Sequence, residues 1–261
     1  MRALYTSATG MMAQQFNLDI ISNNLANVNT GGYKKNTVHF QDLLYQNMRT
    51  AGASSSSGGQ LPTGSQVGLG VNSGTTSQVY TQGTIQISGN DYDVAIKGDG
   101  FLRVLMPDGT TAYTRDGALN VDSTGRLVTA EGSPIQPEII IPADKTSISI
   151  AADGTVSVTR AGQTNSEQIG QIQLTRFMNP SGLQGVGSNL YRNTPASGDP
   201  TDDTPGQNGL GTIIHKSLEV ANVEVVEEMI RMITVQRAYE TNSKAIQTAD
   251  EMLANANNLK R

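Results

Sequence analysis

The sequence predicts an α+β protein: long N- and C-terminal helices packed as a coiled coil, a central all-β domain, and an extended linker region. Three observations carry this. Apolar residues recur every seventh position at both ends, they recur every second position in the middle, and residues 218–261 contain neither Gly nor Pro.

The first helix comes from residues 4–28, where Pro is missing and Gly10 is the one glycine. Leu4, Met11, Leu18 and Leu25 form a seven-residue row, with Ile21 and Val28 on an adjoining one. At 1.5 Å per residue this helix is about 38 Å long. Asn29-Thr30-Gly31-Gly32 ends it, because glycine takes the left-handed conformation at a helix C-terminus. Residues 1–30 are therefore assigned to the N-terminal helix, and residues 31–95 to the extended linker. The linker includes Gly52-Ala53-Ser54-Ser55-Ser56-Ser57-Gly58-Gly59, a composition that cannot form a core.

In the middle, Ile148 and Ile150 alternate with Ser147 and Ser149, and Val156 and Val158 alternate with Ser157 and Thr159. Ile172 and Leu174 alternate in turn with Gln171, Gln173 and Thr175, as half-buried strands do. Asp99-Gly100, Asp108-Gly109, Asp116-Gly117 and Asp153-Gly154 supply the positive φ that tight hairpins need. Residues 96–200 are read as the β domain and residues 201–220, rich in Pro, Gly and Asp, as a return linker. Residues 221–261 form the second helix, with Leu218, Val225, Met232, Tyr239, Ile246 and Leu253 in one register flanked by Met229 and Ile233. Asn222 is its expected N-cap, and about 38 residues would span about 57 Å.

Composition excludes several function classes. Asp, Glu, Lys and Arg make up 16% of the chain, below the ~25% of an ordinary soluble domain. A balance of 23 acidic against 18 basic residues gives a net charge of -5, with no cationic surface for nucleic acid. No apolar run reaches the roughly 20 residues of a membrane span, and the start lacks the apolar core of a cleaved signal peptide. Without Cys there are no disulfides, thiol nucleophiles or Cys-held zinc.

His39 and His215 have no triad arrangement beside them and are read as structural or surface residues. Gly98-Asp99-Gly100 lacks the third glycine and the helix start of a dinucleotide loop, so a hairpin turn is expected. Asp199, Asp202 and Asp203 miss the EF-hand spacing. The expectation is a protein that is not an enzyme, with no catalytic residues, cofactor or metal. The competing class is a glycan-binding or hydrolytic β module dimerised by its helices. It is weakened by the lack of Trp and by only four Phe, since sugar clefts usually carry exposed aromatics.

The heptad rows are too long to be covered by one β domain of roughly 100 residues, whose radius of gyration is about 13 Å. They call for neighbouring subunits. The assembly interface is therefore placed on Leu4, Met11, Leu18, Ile21, Leu25, Val28, Leu218, Val225, Met229, Met232, Ile233, Tyr239, Ile246 and Leu253.

Ser22-Asn23-Asn24-Leu25-Ala26-Asn27-Val28-Asn29-Thr30-Gly31-Gly32-Tyr33-Lys34 resembles the N-terminal signature of bacterial flagellar rod and hook proteins. Leu218-Glu219-Val220-Ala221-Asn222-Val223, Glu227-Glu228-Met229-Ile230 and Gln236-Arg237-Ala238-Tyr239-Glu240-Thr241-Asn242-Ser243-Lys244 resemble the C-terminal one. Gly98-Asp99-Gly100-Phe101, Tyr113-Thr114-Arg115-Asp116-Gly117 and Gly125-Arg126-Leu127-Val128 are similar to the β-region motifs between them. Tyr33 stands where Phe is common in the family, and Ala221 where Ser is. Length, a single β region and the Ser/Gly-containing insert at residues 52–64 most resemble the distal rod members, with another rod or short hook protein as the alternative.

The resemblance implies a structural subunit of a hollow helical drive shaft that transmits torque to the hook and forms part of the export channel. The terminal helices would form its inner tube and the β domain would face outward. The implied partners are copies of itself, proximal rod proteins at one end, hook protein at the other, the surrounding periplasmic and outer-membrane rings, and the flagellar type III export apparatus. The implied location is the flagellar basal body, spanning the periplasm, after export without a cleaved signal peptide.

Overall fold

The computed structural model describes residues 2–50, 63–162 and 165–258. The chain divides into two compact units and passes between them four times. One consists of Met1–Ala26, Asn36–Ser77 and Glu224–Arg261, the other of Asn27–Lys35 and Gln78–Val223.

In the first unit, helix α1 (Arg2–Ala26) packs along helix α2 (Val225–Asn258). Their approach is close, since a Cβ added to Gly10 would lie 3.0 Å from Asn242 Nδ2. The contact does not run along the predicted row. Ala13, Ile21 and Asn24 are the buried positions of α1, whereas Leu4, Met11, Leu18 and Leu25 are half-buried. Ile21 lies about 60° around the helix from Leu18, and small Ala13 lets the backbones approach.

The expected linker of residues 31–95 is largely strand. Asn36–Asp42 pairs with Val71–Gln78, and Tyr45–Arg49 pairs antiparallel with Ser65–Gly68. The Leu43 N–H to Gly70 carbonyl bond, at 2.9 Å, ties the two pairs into one ribbon. Residues 51–62, which hold most of the Ser/Gly-rich insert, lie outside the described residues.

The second unit holds the β core. Its main sheet runs in the order Gln184–Gly187, Leu190–Arg192, Thr111–Thr114, Phe101–Leu105, Leu174–Arg176, Thr201–Asp203, with Ile135–Gln136 also paired to Phe101–Leu105. A three-stranded antiparallel sheet, Lys145–Ile150, Thr155–Arg160 and Ser166–Gln171, carries the predicted alternation: Ile148, Ile150, Val156 and Val158 are buried. They join Ile96, Leu102, Leu119, Ile135, Ile172 and Leu174 in the main core. A second cluster stacks aromatics edge to face, with Tyr113 and Phe177 centroids 4.8 Å apart and Phe101 and Tyr191 beside them.

Several expectations are corrected here. Asp108-Gly109 and Asp153-Gly154 do close hairpins, with Gly109 and Gly154 at φ +80 and +82. Asp99-Gly100 does not, because the strands around it, Val94–Lys97 and Phe101–Leu105, pair with different partners. Gly117 does not take positive φ. It is required because a Cβ there would sit 1.6 Å from the Val94 carbonyl oxygen, whose own N–H bonds Gly117. Thr175 breaks the alternation and is buried, its hydroxyl donating to Asp202. The return linker of residues 201–220 contains strands Thr201–Asp203, Thr212–His215 and Ser217–Glu219.

Candidate functional site

The C-terminal heptad row is shorter than expected. Leu218 belongs to strand Ser217–Glu219, opposite Gln86, so it drops out of the helical stripe. Helix α2 begins at Val225, and Asn222 is not its cap. The Asn222 amide instead accepts from the Lys35 N–H at 2.8 Å and donates to the Val79 carbonyl at 2.8 Å, acting as a spacer between two backbone segments of the second unit.

On α2 proper, Met232 and Ile246 are half-buried, whereas Val225, Met229, Ile233, Tyr239 and Leu253 are exposed. So are Val226 and Ile230, at 70% and 60%. With 100° per residue, Val226, Ile230 and Ile233 lie 140° to 200° around the helix from Glu228, on the face away from its buried side (about 3.6 residues per turn). On α1, Tyr5 and Met12 are exposed in the same way, and Val28 follows the helix in a half-buried turn.

The N-terminal motif does two jobs. Buried Asn24 pairs with the backbone of Asn36 in both directions, each bond 2.9 Å, and so starts the ribbon of the first unit. In the second unit the Thr30 hydroxyl donates to the Asn27 side chain at 3.2 Å. Gly32, at φ +66, donates its N–H to the Glu219 carbonyl at 2.8 Å, and a Cβ there would meet Arg115 and Asp116 backbone at 2.7 Å. Tyr33 is half-buried, while Asn23, Ala26 and Asn29 are exposed.

The motifs meet at a point that sequence reading missed. Lys34, Arg115 and Glu219 come from the N-terminal, β-region and C-terminal motifs respectively, and all three are buried. Lys34 Nζ donates to Glu219 Oε1 at 2.7 Å and to the Thr81 carbonyl at 2.7 Å. Arg115 donates through Nε to Glu219 Oε2 at 3.0 Å and through NH2 to the Gly98 carbonyl at 2.8 Å. The Gly83 N–H completes the shell of Glu219 Oε1 at 2.9 Å. Burial, and then the Arg115 guanidinium, push the Lys34 ammonium below its ordinary pKa against the opposing pull of Glu219. The available signal was an ionisable residue in each of three motifs of a chain poor in charge.

His39 Nε2 contacts the Ser77 hydroxyl at 3.1 Å and His215 Nε2 the Asp91 carbonyl at 2.6 Å. Asp202 is taken by Thr175 and Arg103, and Asp203 by the Thr204 N–H and Asn208. Among the described residues, no helix is long and apolar enough to cross a membrane.

Three family matches fall on the chain in order. Residues 4–34 match the flagella basal body rod protein family, residues 95–158 the D1 domain of flagellar hook protein FlgE/F/G, and residues 215–259 the C-terminal region of flagellar basal body rod FlgEFG protein. The flagellar basal-body rod protein FlgG of Buchnera aphidicola subsp. Schizaphis graminum is 51% identical over 96% of both chains. The FlgG protein of Caulobacter vibrioides is 47% identical over 97% of both. The FlgF rod protein of the same bacterium falls to 32% over 97% of this chain and 96% of its own. With motifs that clamp backbone and this likeness over nearly its whole length, the chain belongs to the flagellar basal-body rod protein FlgG family, whose members are structural rod proteins and not enzymes.

Proposed function

We propose that this chain polymerises as a subunit of the distal rod, forming a hollow helical shaft that carries motor torque toward the hook and encloses part of the export channel. The outward apolar row of α2, Val226, Ile230 and Ile233, is the observation that carries this reading. Torque transmission demands contacts that do not slip. Interlocked apolar side chains meet that demand better than exposed ion pairs, which contribute ~0–1 kcal/mol and weaken with salt. In the assembly, α1 and α2 pack against those of adjacent copies in coiled-coil fashion and line the inner tube.

The same reading places proximal rod proteins and hook protein at the two ends, rings around the shaft in the periplasm, and the flagellar export apparatus as the route out.

The test is assembly of the purified full-length chain at rising concentration, followed by sedimentation and electron microscopy. Open-ended fibres grown from monomers are expected, because a heterologous contact does not close. A closed dimer that stops growing would overturn the reading.

A further inference from the structure

The chain enters or leaves the second unit four times, and three stretches, residues 27–35, 78–84 and 217–223, hold all four crossings. Each stretch bonds to both of the others. Between the first and second, the Val79 N–H donates to the Lys35 carbonyl at 2.9 Å and Lys34 Nζ to the Thr81 carbonyl at 2.7 Å. Between the first and third, the Gly32 N–H donates to the Glu219 carbonyl at 2.8 Å, the Lys35 N–H to the Asn222 side-chain oxygen at 2.8 Å and Lys34 Nζ to Glu219 Oε1 at 2.7 Å. Between the second and third, the Gly83 N–H donates to Glu219 Oε1 at 2.9 Å and the Val220 N–H to the Thr84 carbonyl at 2.9 Å. The Asn222 amide adds bonds to the Val79 and Thr81 carbonyls at 2.8 and 3.2 Å. Backbone meets backbone here, since a Cβ on Gly83 would lie 1.9 Å from the Val220 carbonyl oxygen.

Two features make a half-open arrangement costly. The bonds close a triangle, so no stretch slides along a second without breaking its bonds to the third. The Lys34 and Glu219 side chains at its centre are both 0% exposed, and parting their stretches would leave a buried charge without its partner. The triangle is also fastened to the core. Arg115 donates to Glu219 and to the Gly98 carbonyl, while the Gln82 side chain accepts the Gly98 N–H at 3.1 Å and donates to the Ile96 carbonyl at 3.0 Å.

We propose that these three stretches form one clasp that opens and closes as a single element, so that a pull on any crossing of the chain is shared by all four. Its use would be to keep the root of the second unit from yielding while the shaft turns. That use rests on the polymer reading above, whereas the clasp is a property of the single chain and is tested on it.

The experiment is native-state hydrogen exchange, read residue by residue, on the full-length chain held below the concentration at which it assembles. In the wild type, the amides of Gly32, Lys35, Val79, Gly83 and Val220 should share one opening free energy, separate from that of Leu105 and Ile172, whose amides are bonded within the core. Asn222→Ala removes one corner of the triangle. It should speed exchange ~10-fold or more at all five amides by the same factor, although Gly32, Gly83 and Val220 do not bond to Asn222, and leave Leu105 and Ile172 unchanged. Acceleration confined to Lys35 and Val79 would overturn the clasp, and so would equal acceleration of the core amides. If Asn222→Ala does not fold, the wild-type measurement decides: five unrelated opening free energies, or one shared with the core, overturn it. Fibre growth at higher concentration is scored separately, so a clasp without fibres leaves the single element standing and removes its use in the shaft.

Discussion

The two units differ in how much of a core they build. The second encloses a large core, with Leu102, Leu119, Ile135, Ile172 and Leu174 each 0% exposed, and its buried Lys34, Arg115 and Glu219 are hydrogen-bonded to one another or to backbone. The first leaves Val226, Ile230, Ile233 and Met252 at the surface and buries a carboxylate without satisfying it. On the proposed reading, the second unit folds on its own core and the first is completed by assembly.

The largest effect is expected at the node of the finished unit. Glu219→Ala leaves two buried cations without their anion and should cost ~3–5 kcal/mol of that unit's stability, read as a lowered urea midpoint. Preserved stability would mean that the node is not what closes this unit. Next, Leu102→Ala removes a fully enclosed side chain and should cost ~2–5 kcal/mol. Ile233→Ala, on the exposed row, should change monomer stability by no more than ~0.5 kcal/mol while raising the concentration needed for assembly. If the two substitutions behave alike, the contrast between the units fails.

A smaller effect is expected in alkali. Burial pushes the Tyr191 hydroxyl from 10.0 up to about 12 and raises that of Tyr80 as well. The unfolded chain loses these protons first, so the stability tied to them is present below pH 10 and is lost as pH rises toward 12. Denaturation followed by tyrosinate absorbance should show the second unit weakening in that window. The smallest effect is expected at the exposed Arg231 and Glu227 pair on α2, where Glu227→Gln should lower helix stability by ~0.3–0.5 kcal/mol, less in high salt.

Periodicity made the two helices and the alternating strands legible, because 3.6 and 2 are backbone repeats that burial copies into sequence. It failed where pairing at a distance decides. Leu218 kept the heptad count yet pairs with Gln86 as strand, and Asn222 had the chemistry of a cap but found Lys35 and Val79 first. Most of the positions predicted for the interface lie on α1 or α2, but periodicity did not say which face of either helix is buried. A seven-residue row does not say which side meets the other helix of the same chain, and small Ala13 is buried where Leu18 is half-buried. The Lys34, Arg115 and Glu219 node was not legible from spacing, since nothing local ties residues so far apart.

That separation also governs the order of folding. Lys34 and Glu219 are 185 positions apart, and Gly32 waits on the same strand that holds Glu219. Loop closure over such a distance is slow, and contacts of this range come late on a folding route. A chain synthesised from its N-terminus cannot close the second unit until nearly all of it has been made. For most of its synthesis, then, the central unit stays open whatever its local strands have begun to form, and the last strand to arrive acts as a timer for the whole.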